Sequence, residues 1–395
     1  MRKLQVSFVI AWLAMLSISI GLYAQQDSLD FPAPQFMLPF YDHFTLNHLN
    51  VTAMGRGQTT NALAGKVDNA VNNPATLLSD KSYLYMELTI KPPISEINVP
   101  DSMMYSSPIP FGMFGVSGRI YKSIHAAVSY NVPKSVVYDN FTVETGQGAD
   151  AVTTYPAYYL HQFTTTLAGS VGKLRLGLNV HQQLHQFKDI VVFQTFDRID
   201  KTYYVVRLQP GVFYQSGQLG IGATCTLPTS AIMNIKYAEY DVTLPMQVTA
   251  GVSFKSTNNS FYGDIDWEQC SQMSSAFDDR LTLKAGYEKL IRNITYRAGV
   301  ISMPGVYTGA YRLPVHQTAE ADEVLWWNAV PRGGYIDKSD QLFGTIGFTY
   351  NFKGGELTLG LMQDLMGNVP ATQFATSIGF NLDTLKGKRF LIFDK

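Results

Sequence analysis

From Ser82 onward the chain alternates apolar and polar residues with a period of two, and this pattern limits what it can fold into. In KLRLGLNVHQQ, Leu174, Leu176, Leu178 and Val180 share one face, while Arg175, Gly177, Asn179 and His181 share the other. QLGIGATCTLP sets Leu219, Ile221, Ala223, Cys225 and Leu227 against Gly220, Gly222, Thr224 and Thr226, and MQVTAGVSFK repeats the pattern from Met246 to Lys255. Successive side chains of a strand point to opposite faces, so each segment has one apolar and one polar side. About fourteen such segments follow one another: 82–90, 111–121, 123–132, 161–172, 173–184, 203–215, 217–226, 246–255, 259–269, 280–289, 292–302, 341–352, 355–364 and 372–382. Their lengths cluster near the roughly 9–11 residues with which a tilted strand crosses a bilayer.

The connections alternate as well. Long ones (91–110, 133–160, 185–202, 227–245, 270–279, 303–340 and 365–371) take turns with short ones such as YKS, QSGQ, STNN, KLIRN and FKGG. This rhythm belongs to an outer-membrane barrel, with short periplasmic turns, long outer loops and an even strand number. A soluble β-sandwich has no fixed rhythm of turns and would not expose so many apolar faces. The fold expected is therefore all-β, a roughly fourteen-stranded antiparallel transmembrane β-barrel whose closure removes the unpaired edges that a membrane does not tolerate. The polar faces carry Arg119, Arg175, Arg207, Asp264, Asp266, Glu268, Lys284, Glu288 and Arg297. Ionised groups cost several kcal/mol in hydrocarbon, so these are expected to face the lumen and pair there. A barrel this wide is not filled by its own wall side chains, so something else must close it.

Composition agrees. Charged residues make up 15% of the chain, against roughly 25% in typical soluble proteins. A formal net charge of −1 gives no electrostatic footprint for nucleic acid. Arg2 and Lys3 precede an apolar run from Val6 to Leu22, and LYA ends at Ala24 before QQDSLD. That is the pattern of a secretory signal peptide cut between Ala24 and Gln25; a signal anchor is the alternative, because Leu22 is large for its position. Beyond it no apolar run approaches the roughly 18 residues of a membrane helix.

Residues 25–80 lack sustained alternation and mix apolar clusters (Phe31, Phe36 to Leu38, Phe40, Tyr41, Phe44) with small residues from Ala53 to Ala75. They are the expected plug, with Asn72, Asn73 and Pro74 marking a turn where it joins the first wall strand. The expected organisation is a signal peptide (1–24), an N-terminal plug or hatch (25–80), a barrel (81–382) and a C-terminal periplasmic tail (383–395).

The run TAMGRGQTTNALAGKVDNAVNNPATLL resembles the plug signature of the FadL-like family of outer-membrane hydrophobic-compound transporters, through Met54, Gly55, Gly57, Asp68, Ala70, Asn73, Pro74, Ala75 and Leu77. PIPFGMFGVSGRIYKSIHAAVSYNVP resembles that family's second and third strands. LQPGVFYQSGQLGIGATCTLPTS and LPMQVTAGVSFKSTNNSFYGDIDWEQC resemble its middle and following hairpins. The second plug glycine is replaced, leaving GRGQ, and the chain runs on past its last strand through LKGKRFLIFDK. The resemblance implies transport of long-chain fatty acids or other hydrophobic small molecules. The solute is caught among outer loops, passes to a site beside a movable plug, and leaves sideways through the barrel wall. Asn73, Pro74 and Ala75 would then lock the turn that anchors the plug. The implied partners are a hydrophobic small-molecule substrate and outer-membrane lipid, with the chain acting as a monomer. A barrel subunit of a type IX secretion system, docking a protein partner, shares an Asn-Pro-Ala plug and is the alternative.

Met103, Met104 and Tyr105 in the first long loop, and Tyr307, Tyr311, Leu325, Trp326 and Trp327 in the longest, are candidates for substrate capture; anchoring in an aromatic belt is the competing role. No nucleophile–base, His-Glu-x-x-His or Walker-type motif occurs, so neither an enzyme nor a cofactor is expected. The glycines at 217–222 fit small lumen-facing residues better than a phosphate loop. His181 and His185 would stand about 13 Å apart on a strand, too far to share a metal. Cys225 and Cys270 fall on non-adjacent strands and are expected as free thiols.

Overall fold

The computed structural model describes residues 50–78, 81–90, 94–95, 104–106, 109–138, 141–144, 151–154, 157–192, 197–235, 238–273, 277–306, 340–366 and 372–386. Fourteen antiparallel strands form a closed barrel. They are β1 (Tyr83–Ile90), β2 (Phe111–Tyr121), β3 (Ile124–Tyr138), β4 (Ala157–Val171), β5 (Leu174–Val192), β6 (Asp197–Ser216) and β7 (Leu219–Thr226). After these come β8 (Gln247–Lys255), β9 (Asn259–Glu268), β10 (Arg280–Ile291), β11 (Ile294–Met303), β12 (Gln341–Phe352), β13 (Gly355–Asp364) and β14 (Thr372–Asn381). Each pairs with its sequence neighbour, and β1 closes on β14 from Tyr83↔Asn381 to Ile90↔Phe374. All fourteen fall on the alternating segments of the sequence, and their polar and apolar faces agree with it.

The wall is inside-out relative to a soluble protein. Leu88, Val128, Phe163, Ile221, Val252, Ile265, Leu283 and Ile346 are exposed on its outer face. Their chain neighbours Glu87, Ser129, Thr164, Ser253, Asp264, Thr282 and Thr345 are buried on the inner face. Large exposed apolar patches mark contact with something apolar, and here the patch is the whole circumference.

Two expectations about loops are corrected. β3 to β6 run well past the alternating cores, so much of 133–160 and 185–202 is strand rather than loop. At roughly 3.3 Å per residue, β5 and β6 measure about 60 Å along the strand, well beyond a hydrocarbon core of about 30 Å. Past the core the outer face need not be apolar, so the alternation in HQFKDIVV and DRIDKTYY weakens while pairing continues from Asp197↔Val192. The span 227–245 likewise contains a hairpin, Thr229–Ile235 with Ala238–Leu244.

Residues Asn50–Leu78 lie inside this wall. They form two single-turn helices, α1 (Val51–Met54) and α2 (Val67–Ala70), and a 3-10 turn at Pro74–Thr76. The segment first packs α1 on β12 to β14 and then crosses β11 to β7. It returns through Lys66, whose Nζ lies 2.6 Å from Glu356 Oε2 on β13. Next it sets α2 against β1 to β3 and the 3-10 turn against β4 to β6. This one segment therefore touches every wall strand. A last helix, α3 (Leu382–Lys386), follows β14. Residues 1–49 and 387–395 lie outside the described residues, as do the signal-peptide site, most of the tail and the first part of the expected plug.

Candidate functional site

The inner segment is seated by backbone approach and by polar side chains of the wall. A Cβ on Gly177 of β5 would meet the Pro74 backbone, and one on Gly222 of β7 would overlap the Asn61 carbonyl. Glycine at these lumen-facing positions lets two main chains come into contact. Asp264 Oδ2 accepts from Thr60 N at 2.7 Å and Asn61 N at 3.1 Å, Thr345 Oγ1 from Gly57 N at 3.0 Å, and Glu87 Oε2 from Val51 N at 3.3 Å. Ser253 Oγ donates to Ala62 O at 2.6 Å. Hydrogen bonds to charged groups contribute about 1.5–3 kcal/mol each, so Asp264 is a strong tether.

The Asn-Pro-Ala turn is part of the seating. Asn73 is fully buried; its Oδ1 accepts from Ala75 N at 3.0 Å, and its Nδ2 donates to Asn61 O at 2.8 Å and Val212 O at 3.3 Å. Pro74 opens the 3-10 turn, where its missing N–H and fixed φ cost nothing. Asn73 thus joins two stretches of the segment to β6. Asp68, in α2, is buried, and burial, then the nearby Glu356 carboxylate, raise its carboxyl above the usual aspartate value while Lys66 and Arg56 pull the other way.

On the long-loop side of the segment lies a cavity of ≈ 320 Å³. Val71, Leu160, Leu244 and Met303 give it apolar walls, and Pro133 lies at one side. Four cations reach it, Lys134, Arg207, Arg280 and Lys284, against two carboxylates, Asp266 and Glu268. Arg280 Nη2 pairs with Glu268 Oε2 at 2.6 Å, and Lys284 Nζ pairs with Asp266 Oδ2. Arg207 Nη2 donates to Pro245 O at 2.6 Å. Gln58 Nε2, Gln183 Oε1 and Asp266 Oδ1 are buried at this cavity without a protein partner. Apolar walls with a few convergent polar groups are what a small amphiphilic ligand requires. A second hollow of ≈ 500 Å³ runs across β8 to β11, where Ala250, Gly263 and Ala285 are small, but it opens on the outer face of the wall beside the exposed Val252, Ile265 and Leu283.

Of the charges noted in the sequence, Arg207, Asp266, Glu268 and Lys284 reach the cavity. Asp264 holds the segment instead. Glu288 Oε2 binds Arg297 Nε at 2.8 Å beside Arg56, and the Arg175 guanidinium lies over the Phe213 ring, 5.6 Å from its centroid. Met104 and Tyr105 fall in the short strand Met104–Ser106. Met103, Tyr307, Tyr311, Leu325, Trp326 and Trp327 lie outside the described residues. His181 and His185 each bond a hydroxyl through Nδ1, to Thr164 and Tyr158, at 2.9 Å. Cys225 and Cys270 are free thiols, and burial pushes the Cys270 thiol well above its usual range.

Solved structures share this architecture. The Ralstonia pickettii toluene transporter TbuX superposes with a TM-score of 0.58 at 14% identity, covering 85% of this chain and 98% of that one. The Pseudomonas putida toluene transporter TodX gives 0.55 at 12%, covering 83% and 95%. The monoaromatic hydrocarbon channel CymD gives 0.57 at 12%, covering 85% and 98%. These are FadL-type outer-membrane transporters. This chain has their fold. At such identities the likeness extends to architecture alone. No family model and no curated protein matches the chain.

β3 is irregular where it borders the cavity. Asn131 pairs with Gln162 and Lys134 with Leu160, so Val132 and Pro133 together face one residue of β4. That is a β-bulge, and Pro133 has no N–H to give the ladder.

Proposed function

We propose that this protein moves hydrophobic small molecules with an acidic head group, long-chain fatty acids foremost, across a bacterial outer membrane. The observation that carries the reading is the cavity, whose apolar walls adjoin more cationic than anionic side chains and which touches both the inner segment and the β3 bulge. A carboxylate fits beside Arg207 and Lys134 while its chain lies along Val71, Leu160 and Met303. An apolar solute is poorly served by a water-filled pore. The inner segment acts as the plug that keeps water from running through. Capture would begin among the outer loops, with Met103, Met104, Tyr105, Tyr307, Tyr311, Leu325, Trp326 and Trp327. Exit would be lateral, at the bulge, where the missing ladder bond of Pro133 weakens the wall. The outer apolar face and the likeness to outer-membrane transporters support the location.

The test is uptake of labelled oleate by cells lacking their own transporter, carrying this protein or its Arg207→Gln variant at matched outer-membrane levels. Uptake should depend on the protein and fall about tenfold or more in the variant, as loss of a charge-assisted contact implies. A folded barrel that moves no oleate would overturn the reading. A second reading, a barrel docking a protein partner in type IX secretion, draws on the height of β3 to β6, which stand beyond the membrane on one side.

A further inference from the structure

The cavity and the inner segment share one set of hydrogen bonds. Asn179 Nδ2 donates to Ala70 O at 2.8 Å, Val71 O at 3.1 Å and Gln209 Oε1 at 2.7 Å. Gln209 Nε2 donates to Asn72 O at 3.1 Å. His181 Nε2 meets Gln209 Oε1 at 3.1 Å, and its Nδ1 meets Thr164 Oγ1 at 2.9 Å. Gln162 Nε2 then links Thr164, at 3.2 Å, to Asn131 Oδ1, at 3.5 Å, beside the β3 bulge. All six side chains are buried. The chemistry sets the proton positions: Gln209 Oε1 only accepts, so His181 donates through Nε2 and accepts the Thr164 hydroxyl at Nδ1.

We propose that this chain of hydrogen bonds from Asn131 to the Ala70–Asn72 carbonyls is a latch, which holds the inner segment closed over an empty cavity and is released when a ligand's acceptor head group takes the donors of His181 and Gln209. The inference rests on the transport reading and adds to it both the opening step and a condition on the substrate. His181, Gln209, Val71 and Asn72 all line the cavity, so a ligand there reaches the latch from within. A carboxylate placed by Arg207 competes with Gln209 Oε1 for His181 Nε2–H and with Asn72 O for Gln209 Nε2–H. Once those donors turn to the ligand, the half-buried backbone carbonyl of Asn72 loses its partner, and the segment gains by moving to where water can satisfy it. A neutral hydrocarbon has no acceptor and leaves the latch shut. The latch ends at Asn131, next to the bulge, so the same event loosens β3 against β4.

The test is ion conductance of the purified barrel in planar bilayers, with heat-modifiable gel mobility as the check of folding. Without ligand the wild type should be closed and should open on adding oleate but not toluene. Gln209→Met removes three bonds of the latch and should be open without ligand, its open time raised about tenfold or more, the least that loss of the one bond to the segment, at Asn72 O, would give. If Gln209→Met does not assemble, the Thr164 pair decides. Thr164→Val, which keeps the shape and removes the hydroxyl, should open; Thr164→Ser, which keeps the hydroxyl, should stay closed. A folded Gln209→Met or Thr164→Val barrel as tightly closed as the wild type overturns the latch, as does equal opening by oleate and toluene. Such a result with oleate uptake intact removes the latch alone, whereas absence of uptake removes the transport reading.

Discussion

Asp68 is the only acidic residue between Asn50 and Leu78, and it is buried where its charge is costly. Its carboxyl value is raised in the docked segment, so the docked state holds that proton more tightly than a released one. Above the ordinary value of 3.8 the docked form binds more protons, and docking weakens as pH rises from there through the raised value. The cost is fully present above that window. Asp68→Asn removes the charge and keeps the shape. At about pH 7 the variant's Asn69 and Ala70 amides should exchange hydrogen more slowly than the wild type's, and at about pH 3 the two should agree. Equal exchange at both pH values would mean that Asp68 carries no charge penalty in the docked segment. At this scale the sequence is legible unevenly. Arg207, Asp266 and Lys284 could be placed on a polar face because ionised groups have few permitted positions in a membrane wall. The parts played by Gln209 and Thr164 could not be read, because an amide or hydroxyl on a strand looks the same whether it meets water or a carbonyl more than a hundred residues away.

The alternation that placed the strands arises from two solvents, hydrocarbon outside and polar contacts inside. It is sharp only where both are present. That is why the cores of β3 to β6 were legible and their extensions were not: above the membrane both faces may be polar, and only the ladder continues. The β3 bulge is a second feature that the pattern hides, because the alternating segment ends at 132 and Pro133 in NVPKS reads as the start of a loop. Removing Pro133 would leave one residue of β3 opposite His161 and restore regular pairing between Asn131↔Gln162 and Lys134↔Leu160. If the solute leaves through this gap, deleting Pro133 should bring oleate uptake close to that of cells without the protein. Binding of labelled oleate to the purified barrel should persist, since Arg207 stands on β6. Unchanged uptake from the deletion variant would place the exit elsewhere.

At the scale of the whole molecule, closure and filling are separate problems. The wall closes itself by pairing β1 with β14, and every strand has two neighbours without help from the inner segment. Filling is the contribution we propose for the segment. Small barrels are filled by their own side chains and wide ones leave a channel, and this wall saves room inside by using glycine and threonine where the segment lies. Without Asn50–Leu78, Asp264, Glu87 and Glu356 would lose their segment partners. Water entering the lumen would solvate them, so the strand ladder should survive while the interior becomes an aqueous pore. Such a pore suits ions and sugars but not an apolar solute, which gains nothing from a watery path. Deleting residues 50–78 should therefore change two permeabilities in opposite directions. Ion conductance and sugar entry should rise well above wild type, while oleate uptake falls. A folded deletion variant that stays impermeable to ions would show that the segment does not seal the lumen. One that conducts ions yet takes up oleate as fast as wild type would show that sealing and transport are independent.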